Sequence, residues 1–294
     1  MWIQDSGQIT PHVEMLNVFA FPCFWIQGQK AALVDAGTTA LSEVFEDRFG
    51  ELGRRLDHVL VTHSHYDHVG GLGVLRGLCP ALSVLGSTIA QETLGKDKVQ
   101  RLIIEMNREE ERLYNIQDRH IPLDPASLRI DEALADGQIL DLGNGVSIEA
   151  HHAPGHTRCS MVYLVKPDAV LLGGESLGGY VSPDEIQTQA ASSFQEYLTT
   201  LERLARLPFE AIGLPHHGIL TGDDARRFIP TALRCAIAFR AQVLELHHQG
   251  QSVDEMTLIL TNRLRHGVAA LQPEKTFGIN LRAMIQVLLK EENG

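Results

Sequence analysis

The chain has little cysteine. Its four cysteines, Cys23, Cys79, Cys159 and Cys235, are far apart and form no CxxC pair in 294 residues. That spacing excludes a thiolate zinc knuckle and a disulfide-stapled scaffold, and reads as free thiols in a reducing compartment. Long hydrophobic runs are absent as well. The apolar stretch 18–26 is broken by Pro22 and is far too short to cross a bilayer. The first residues show no basic segment leading into an apolar run and a small-residue cleavage site, so the expected location is cytoplasmic. Positive charge is scarce: 25 Lys and Arg against 37 Asp and Glu leave a formal charge of −12. Phosphate backbones and anionic lipids are held by basic patches, so neither nucleic acid nor membrane is an expected partner. Internal repeats and low-complexity linkers are also missing.

What is present is an ordinary globular composition, 44% hydrophobic, on a chain long enough to bury a substantial core. Short apolar runs at 13–20, 23–26, 31–34 and 58–62 read as strands, with Gly28-Gln29 as a hairpin turn and 41–56 as a helix. Val59-Leu60-Val61 has no polar alternation, as expected of a strand buried on both faces. A helix at 72–78 is ended by Pro80, and a strand follows at 83–85. In 97–117, Val99, Leu102, Ile103, Met106, Leu113 and Ile116 recur at helical spacing among many charges. This amphipathic helix would be a lid, a dimer contact or a covering helix. Strands return at 138–140, 146–151, 161–164 and 169–172, then a helix at 193–207 and a strand at 211–214. Everything beyond reads as helix: 223–248, 252–264, opened by a capping box at Ser252 and Glu255, and 280–290. The expected organisation is a domain over 1–222, with a helical insertion at about 97–117, and a helical cap over 223–294 in the same compact unit.

The chemistry concentrates in His63-Ser64-His65-Tyr66-Asp67-His68, at the C-terminal end of the strand Val59-Leu60-Val61. Three imidazoles and a carboxylate without thiolate suit zinc, iron or manganese. Further ligands are expected at other strand ends. His156 follows the turn Pro154-Gly155, Glu175 follows Gly173-Gly174, and His216-His217 lie between Pro215 and Gly218. Asp35 ends the run 31–34. His151 and His152 read as structural neighbours of the third motif, and His247-His248 as a helix end. His12, His58, His120 and His266 have no partner in sequence. Cys159 reads as a buried strand residue rather than a nucleophile.

The order VDAG, THSHYDHVGG, APGHT, a strand ending in a carboxylate, and PHHG resembles the metallo-β-lactamase superfamily over roughly residues 33–218. The resemblance implies an α/β fold, an αββα sandwich with a C-terminal helical extension, and metals at one edge between the sheets. It implies a first metal on His63, His65 and His156, and a second on Asp67, His68 and His217. Glu175 would bridge them, Asp35 would fix the histidine loop from behind, and Asp67 would also act in catalysis. There are two departures. The family normally bridges with Asp, and Glu would reach about 1.5 Å further, one bond length. The doublet His216-His217 aligns through Gly218, which selects His217 and leaves His216 as a neighbour. The commonest zinc lactamases carry Arg at the position of His68 and Cys at that of Glu175, so the branch implied is that of glyoxalase II, lactonases and thioesterases. The insertion, the segment 174–178 and the three tail helices are also similar to a member whose tail helices cover the site and whose metals are iron. The expected cofactors are two divalent metal ions, zinc or iron, with manganese also accepted. The expected activity is cleavage of a small ester, thioester or lactone by a metal-bridged hydroxide; phosphodiester chemistry fits the same ligands. The competing expectation is a metal-binding regulatory protein that acts through a partner. A small-molecule substrate is expected, and a homodimer through the insertion or the tail helices.

Overall fold

The computed structural model describes residues 1–17, 21–49, 55–116, 118, 121 and 123–293. The chain opens with β1 (Trp2–Ile3), β2 (Gly7–Gln8), β3 (Val13–Leu16), β4 (Cys23–Gln27) and β5 (Ala31–Val34). It continues through α1 (Ser42–Phe49), β6 (His58–Leu60), α2 (Tyr66–Val69), α3 (Leu72–Leu78), β7 (Ser83–Gly86), α4 (Thr88–Leu94), α5 (Asp97–Leu113) and β8 (Glu132–Ala133). These strands, β1 excepted, form one seven-stranded sheet in the order β2-β3-β4-β5-β6-β7-β8. The second half contains β9 (Ile139–Gly143), β10 (Val146–His152), β11 (Met161–Lys166), β12 (Val170–Gly173), β13 (Gly179–Ser182), β14 (Glu185–Gln187), α6 (Phe194–Leu204), β15 (Ala211–Leu214) and β16 (Gly218–Thr221). The second sheet has the order β1-β16-β15-β12-β11-β10-β9, and β13 and β14 form a separate hairpin. The tail is α7 (Asp223–His248), α8 (Val253–Leu264) and α9 (Glu274–Glu292).

Burial divides into three layers of contact. Phe24, Val34, Leu60, Ile148, Tyr163 and Leu172 pack between the two sheets. Trp25, Leu33, Phe45, Leu72 and Ile103 join the first sheet to its helices. Leu164, Leu201, Ile212, Phe228, Phe239 and Ile285 join the second sheet to α6 and the tail. Successive strand residues point to opposite faces, so a strand buried on both faces carries apolar residues throughout. All four residues of β5, β12 and β15 are buried in this way. The layers are therefore helix, sheet, sheet, helix.

Strand direction decides where the functional residues gather. β5, β6 and β7 are parallel neighbours, so their C-terminal ends share one edge of the first sheet. β12 and β15 are parallel, and β10 runs the same way because β11 is antiparallel to both β10 and β12. Two bonds tie the edges together: Met161 N–H donates to the Thr62 carbonyl at 2.7 Å, and the buried Tyr163 hydroxyl donates to the Val61 carbonyl at 2.7 Å. The histidine loop of one sheet is thereby anchored to the other.

Several elements differ from the sequence expectation. The expected strand 13–20 is observed over Val13–Leu16, and residues 18–20 lie outside the described residues. The expected helix 41–56 is observed over Ser42–Phe49; residues 50–54 lie outside the described residues, and 55–57 are not helical. Gln117 and His120 also lie outside them. α9 begins at Glu274, well before residue 280, because Pro273 starts it and the interior Gly278 weakens but does not break it. β1, α4, β16 and the β13–β14 hairpin carry no sequence pattern long enough to be recognised. Among the described residues no helix is long and apolar enough to cross a membrane.

Candidate metal centre

Two groups of ligand-type side chains converge at the shared edge, each with its donor atoms within 4.8 Å of one another: His63, His65 and His156, and Asp67, His68, Glu175 and His216. The first is built from the loop after β6 and the turn after β10. Gly155 in that turn has φ +130°, and a Cβ there would come within 2.4 Å of the Tyr197 backbone. Only glycine lets α6 pack so closely while the backbone turns to present His156. The ring nitrogens of the group face each other: His63 Nε2 lies 2.9 Å from His65 Nδ1, and His156 Nε2 lies 3.3 Å from the same atom.

Three of the histidines are oriented from behind, as ring tautomer and position in metal sites require. His156 Nδ1 donates to the Gln189 carbonyl at 2.8 Å, leaving Nε2 to face the group. Asp35, at the end of β5 with φ +61°, accepts from His68 Nδ1 at 2.7 Å, from Thr62 N–H at 2.7 Å and from the Thr62 hydroxyl at 2.8 Å. Thr62 Oγ1 in turn lies 3.1 Å from His63 Nδ1 and accepts from it. One buried carboxylate therefore sets two histidines.

Glu175 stands between the groups. Its Oε2 lies 3.4 Å from His63 Nε2 and 3.8 Å from His156 Nε2; its Oε1 lies 3.4 Å from His68 Nε2 and 3.2 Å from His216 Nε2. The longer side chain is accommodated by a single 3-10 turn, Glu175–Leu177, which the Ser176 hydroxyl anchors by donating to the Ala153 carbonyl at 2.7 Å.

One placement corrects the sequence expectation. His216, not His217, reaches the second group, with Nε2 3.3 Å from Asp67 Oδ2. The reason is the turn. Leu214 pairs with Gly218, so the three residues 215–217 form the hairpin loop, and His216 takes φ +63° at its centre. Gly218 is required twice over: its own φ is +84°, and a Cβ there would run into the Ile3 carbonyl of β1. Gly218 thus marks the close of the turn and the approach of β1, and does not by itself say which histidine faces the group. His217 belongs to neither group; its backbone carbonyl accepts from Trp2 Nε1, and its Nδ1 is buried with no hydrogen-bond partner among the described residues.

The electrostatics fit a cation. Burial first, then the neighbouring rings of His68 and His65, hold His63 well below its ordinary value, so its imidazole is neutral. Burial opposes charge on His68, but Glu175, Asp35 and Asp67 outweigh it and raise this ring well above the usual range. For His216 burial is likewise outweighed, by hydrogen bonds to Asp67 and Glu175, and the ring is pushed up to about 10. Burial would raise both carboxylates, but His68 and His216 bring Asp67 down to about 2, and the charge of His68 with hydrogen bonds from His216 and His68 holds Glu175 well below the carboxylate range. Two ionised carboxylates are thus balanced by protons on His68 and His216. Glu175 Oε2 nevertheless has no hydrogen-bond donor among the described residues, although it is buried among imidazole nitrogens. A buried anionic oxygen facing only lone pairs is costly without a cation, and this donor set of imidazole and carboxylate suits a divalent metal.

Other residues were legible in part. Tyr66, inside the motif, hydrogen-bonds Glu110 of α5 rather than a ligand, and Glu110 is raised chiefly by burial. Thr62 and Glu110 carry no motif signal and could be found only from their neighbours in space. His151 lies on β10 with Nε2 3.5 Å from Glu149, outside both groups. Cys159 is buried, and all four cysteines are free.

Comparison with known proteins agrees with this geometry. The family model of the metallo-beta-lactamase superfamily matches residues 20–216. The chain is 24% identical over 227 residues to an atrochrysone carboxyl ACP thioesterase of Paecilomyces divaricatus, covering 74% of this chain and 58% of that protein. It thus spans little more than half the length of that relative. A second protein of that name, from Pseudocercospora fijiensis, is 24% identical over 99% of this chain and 73% of its own length. Among solved structures, a metallo-beta-lactamase family protein from Thermus thermophilus superposes with TM-score 0.64 at 22% identity, covering 97% of this chain and 95% of the other. A beta-lactamase domain protein from Burkholderia ambifaria gives 0.67 at 18%, covering 98% and 90%. With the matched segment running from the first sheet to the His216 turn, the chain belongs to the metallo-beta-lactamase superfamily.

Proposed function

We propose that this chain is a metal-dependent hydrolase that cleaves the thioester of a small acyl group. It would hold two divalent ions: one on His63, His65 and His156, the other on Asp67, His68 and His216, with Glu175 shared. The observation that carries the reading is the placement of Glu175, whose two oxygens face the two groups separately. Metal ions held there would supply Lewis acidity toward a carbonyl and lower the pKa of water to near neutrality.

The chain's own residues do the rest. Asp67, held ionised by His68 and His216, can accept a proton from the attacking water and return it to the leaving thiol. Asp35 and Gln189 accept the hydrogen bond of Nδ1 on His68 and His156, so that Nε2 is the nitrogen each ring would offer to a metal ion. No serine or cysteine nucleophile is required, and Cys159 Sγ faces Ser64 and Thr157 instead. Ester and lactone cleavage would use the same groups. The thioester is favoured because distant relatives carry thioesterase names.

The test is a panel of acyl thioesters, lactones and phosphodiesters assayed on protein of known metal content. Thioester turnover that scales with bound metal is expected. Full metal loading with no turnover of any member would overturn the hydrolase reading in favour of a binding role.

A further inference from the structure

A cavity of about 160 Å³ lies between the β13–β14 hairpin and the tail helices. Ile186 of the hairpin, Phe239 of α7, and Phe277, Leu281 and Met284 of α9 supply apolar walls. Its charged lining side chain, Glu185, is engaged by His266 Nε2 at 3.1 Å. The chain of the hairpin links the cavity wall to the metal centre. Gln187 and Thr188 line it, and the next residue is Gln189, whose carbonyl holds His156. β13 starts four residues after Glu175, and its Gly179 pairs with Gln187. Gln187 Oε1 and His217 Nε2 each come within 3.4 Å of the point where a Cβ would stand on Gly179. Gln187 and His217, two polar side chains outside the ligand groups, thus both flank Gly179 of β13, and His217 also has a buried Nδ1 with no hydrogen-bond partner among the described residues.

We propose that this cavity seats the acyl chain of the substrate: neutral, apolar and about six carbons long, since an apolar cavity near 150 Å³ admits a benzene-sized group. The carbonyl end lies toward His217, Gln187 and the metal centre. This rests on the hydrolase reading above and adds the substrate class to it. A mostly apolar pocket with a few polar groups at one end is the usual form of a small-molecule site.

The experiment uses N-acetylcysteamine thioesters from acetyl to decanoyl on the metal-loaded protein. KM should fall about fourfold per methylene up to about six carbons and then level, because each buried methylene contributes ~0.8 kcal/mol at 1.4 kcal/mol per tenfold. Ala238→Phe at the rim, or Gln242→Phe one turn further along α7, should flatten that dependence at wild-type metal content. An NMR titration with 1-hexanol gives a readout independent of turnover: wild type should bind it more tightly than ethanol, and both variants should lose the difference. A KM independent of chain length, or a dependence untouched by both variants, overturns the acyl seat while leaving the hydrolase reading intact. Absence of all thioester turnover at full metal loading overturns the hydrolase reading and this assignment with it.

Discussion

Replacing Asp35 by Asn should weaken the second metal position without emptying the first. The carboxylate is buried and takes three hydrogen bonds: one at Oδ1 from Thr62 N–H, and two at Oδ2 from His68 Nδ1 and the Thr62 hydroxyl. An amide can keep the Oδ1 bond, but its NH2 then faces two donors. The strain is relieved if His68 moves its proton to Nε2, the nitrogen that lies 3.4 Å from Glu175 Oε1. That tautomer has no lone pair to offer a metal. Loss of a partner of this kind costs about 10–100-fold in metal affinity, or about 1.4–2.7 kcal/mol. A two-site competition titration with a chelator reads the affinities separately. His65 and His156 have no bond to Asp35, so the affinity of the position they share should change less. Wild-type affinity at both positions in Asp35→Asn would refute the reasoning about the tautomer.

Three further outcomes follow from the same geometry. His216→Ala should lose one equivalent of metal by elemental analysis, whereas His217→Ala should keep both; the reverse result would restore the ligand assignment read from Gly218. Glu175→Asp shortens the side chain by about 1.5 Å, so both the 3.2 Å and 3.4 Å approaches cannot be kept at once; metal stoichiometry should fall, and unchanged stoichiometry even in Glu175→Ala would remove Glu175 from the ligand set. His68 and His216 carry raised values, so in the metal-free protein both are protonated at neutral pH and metal must expel those protons. Apparent metal affinity should therefore rise with pH up to about 10. The stability these two rings give the metal-free fold is complete below about 6.5, their unfolded value. It is lost as pH rises through the raised folded values. Calorimetric affinities that do not change between pH 6 and 9 would contradict this.

The sequence made the strand-end ligands visible because His63 to His68 follow the apolar strand β6 as a dense motif, while His156, Glu175 and His216 each follow a short apolar strand and a glycine or proline turn. The layers were legible for the same reason: β5, β12 and β15 are apolar on both faces. The His216 turn was not, because its direction depends on a positive φ and on β1, which arrives from the opposite end of the chain to pair with β16. The β13–β14 hairpin was missed because its strands, Gly179–Ser182 and Glu185–Gln187, are too short for a period to register. Asp35 was legible from its place after β5, but Thr62, which joins it to both His63 and His68, has no pattern of its own. What sequence could not carry was non-local approach: α6 onto Gly155, β1 onto Gly218, and α5 onto Tyr66.

The central claim is a single centre in which Glu175 is shared by two metal ions. Anomalous diffraction from zinc-loaded crystals tests it most directly. The account expects two peaks, one among His63, His65 and His156 and one among Asp67, His68 and His216, with one Glu175 oxygen directed at each. A single peak at saturating zinc, or a second peak held by His217 with Glu175 turned away, would contradict it.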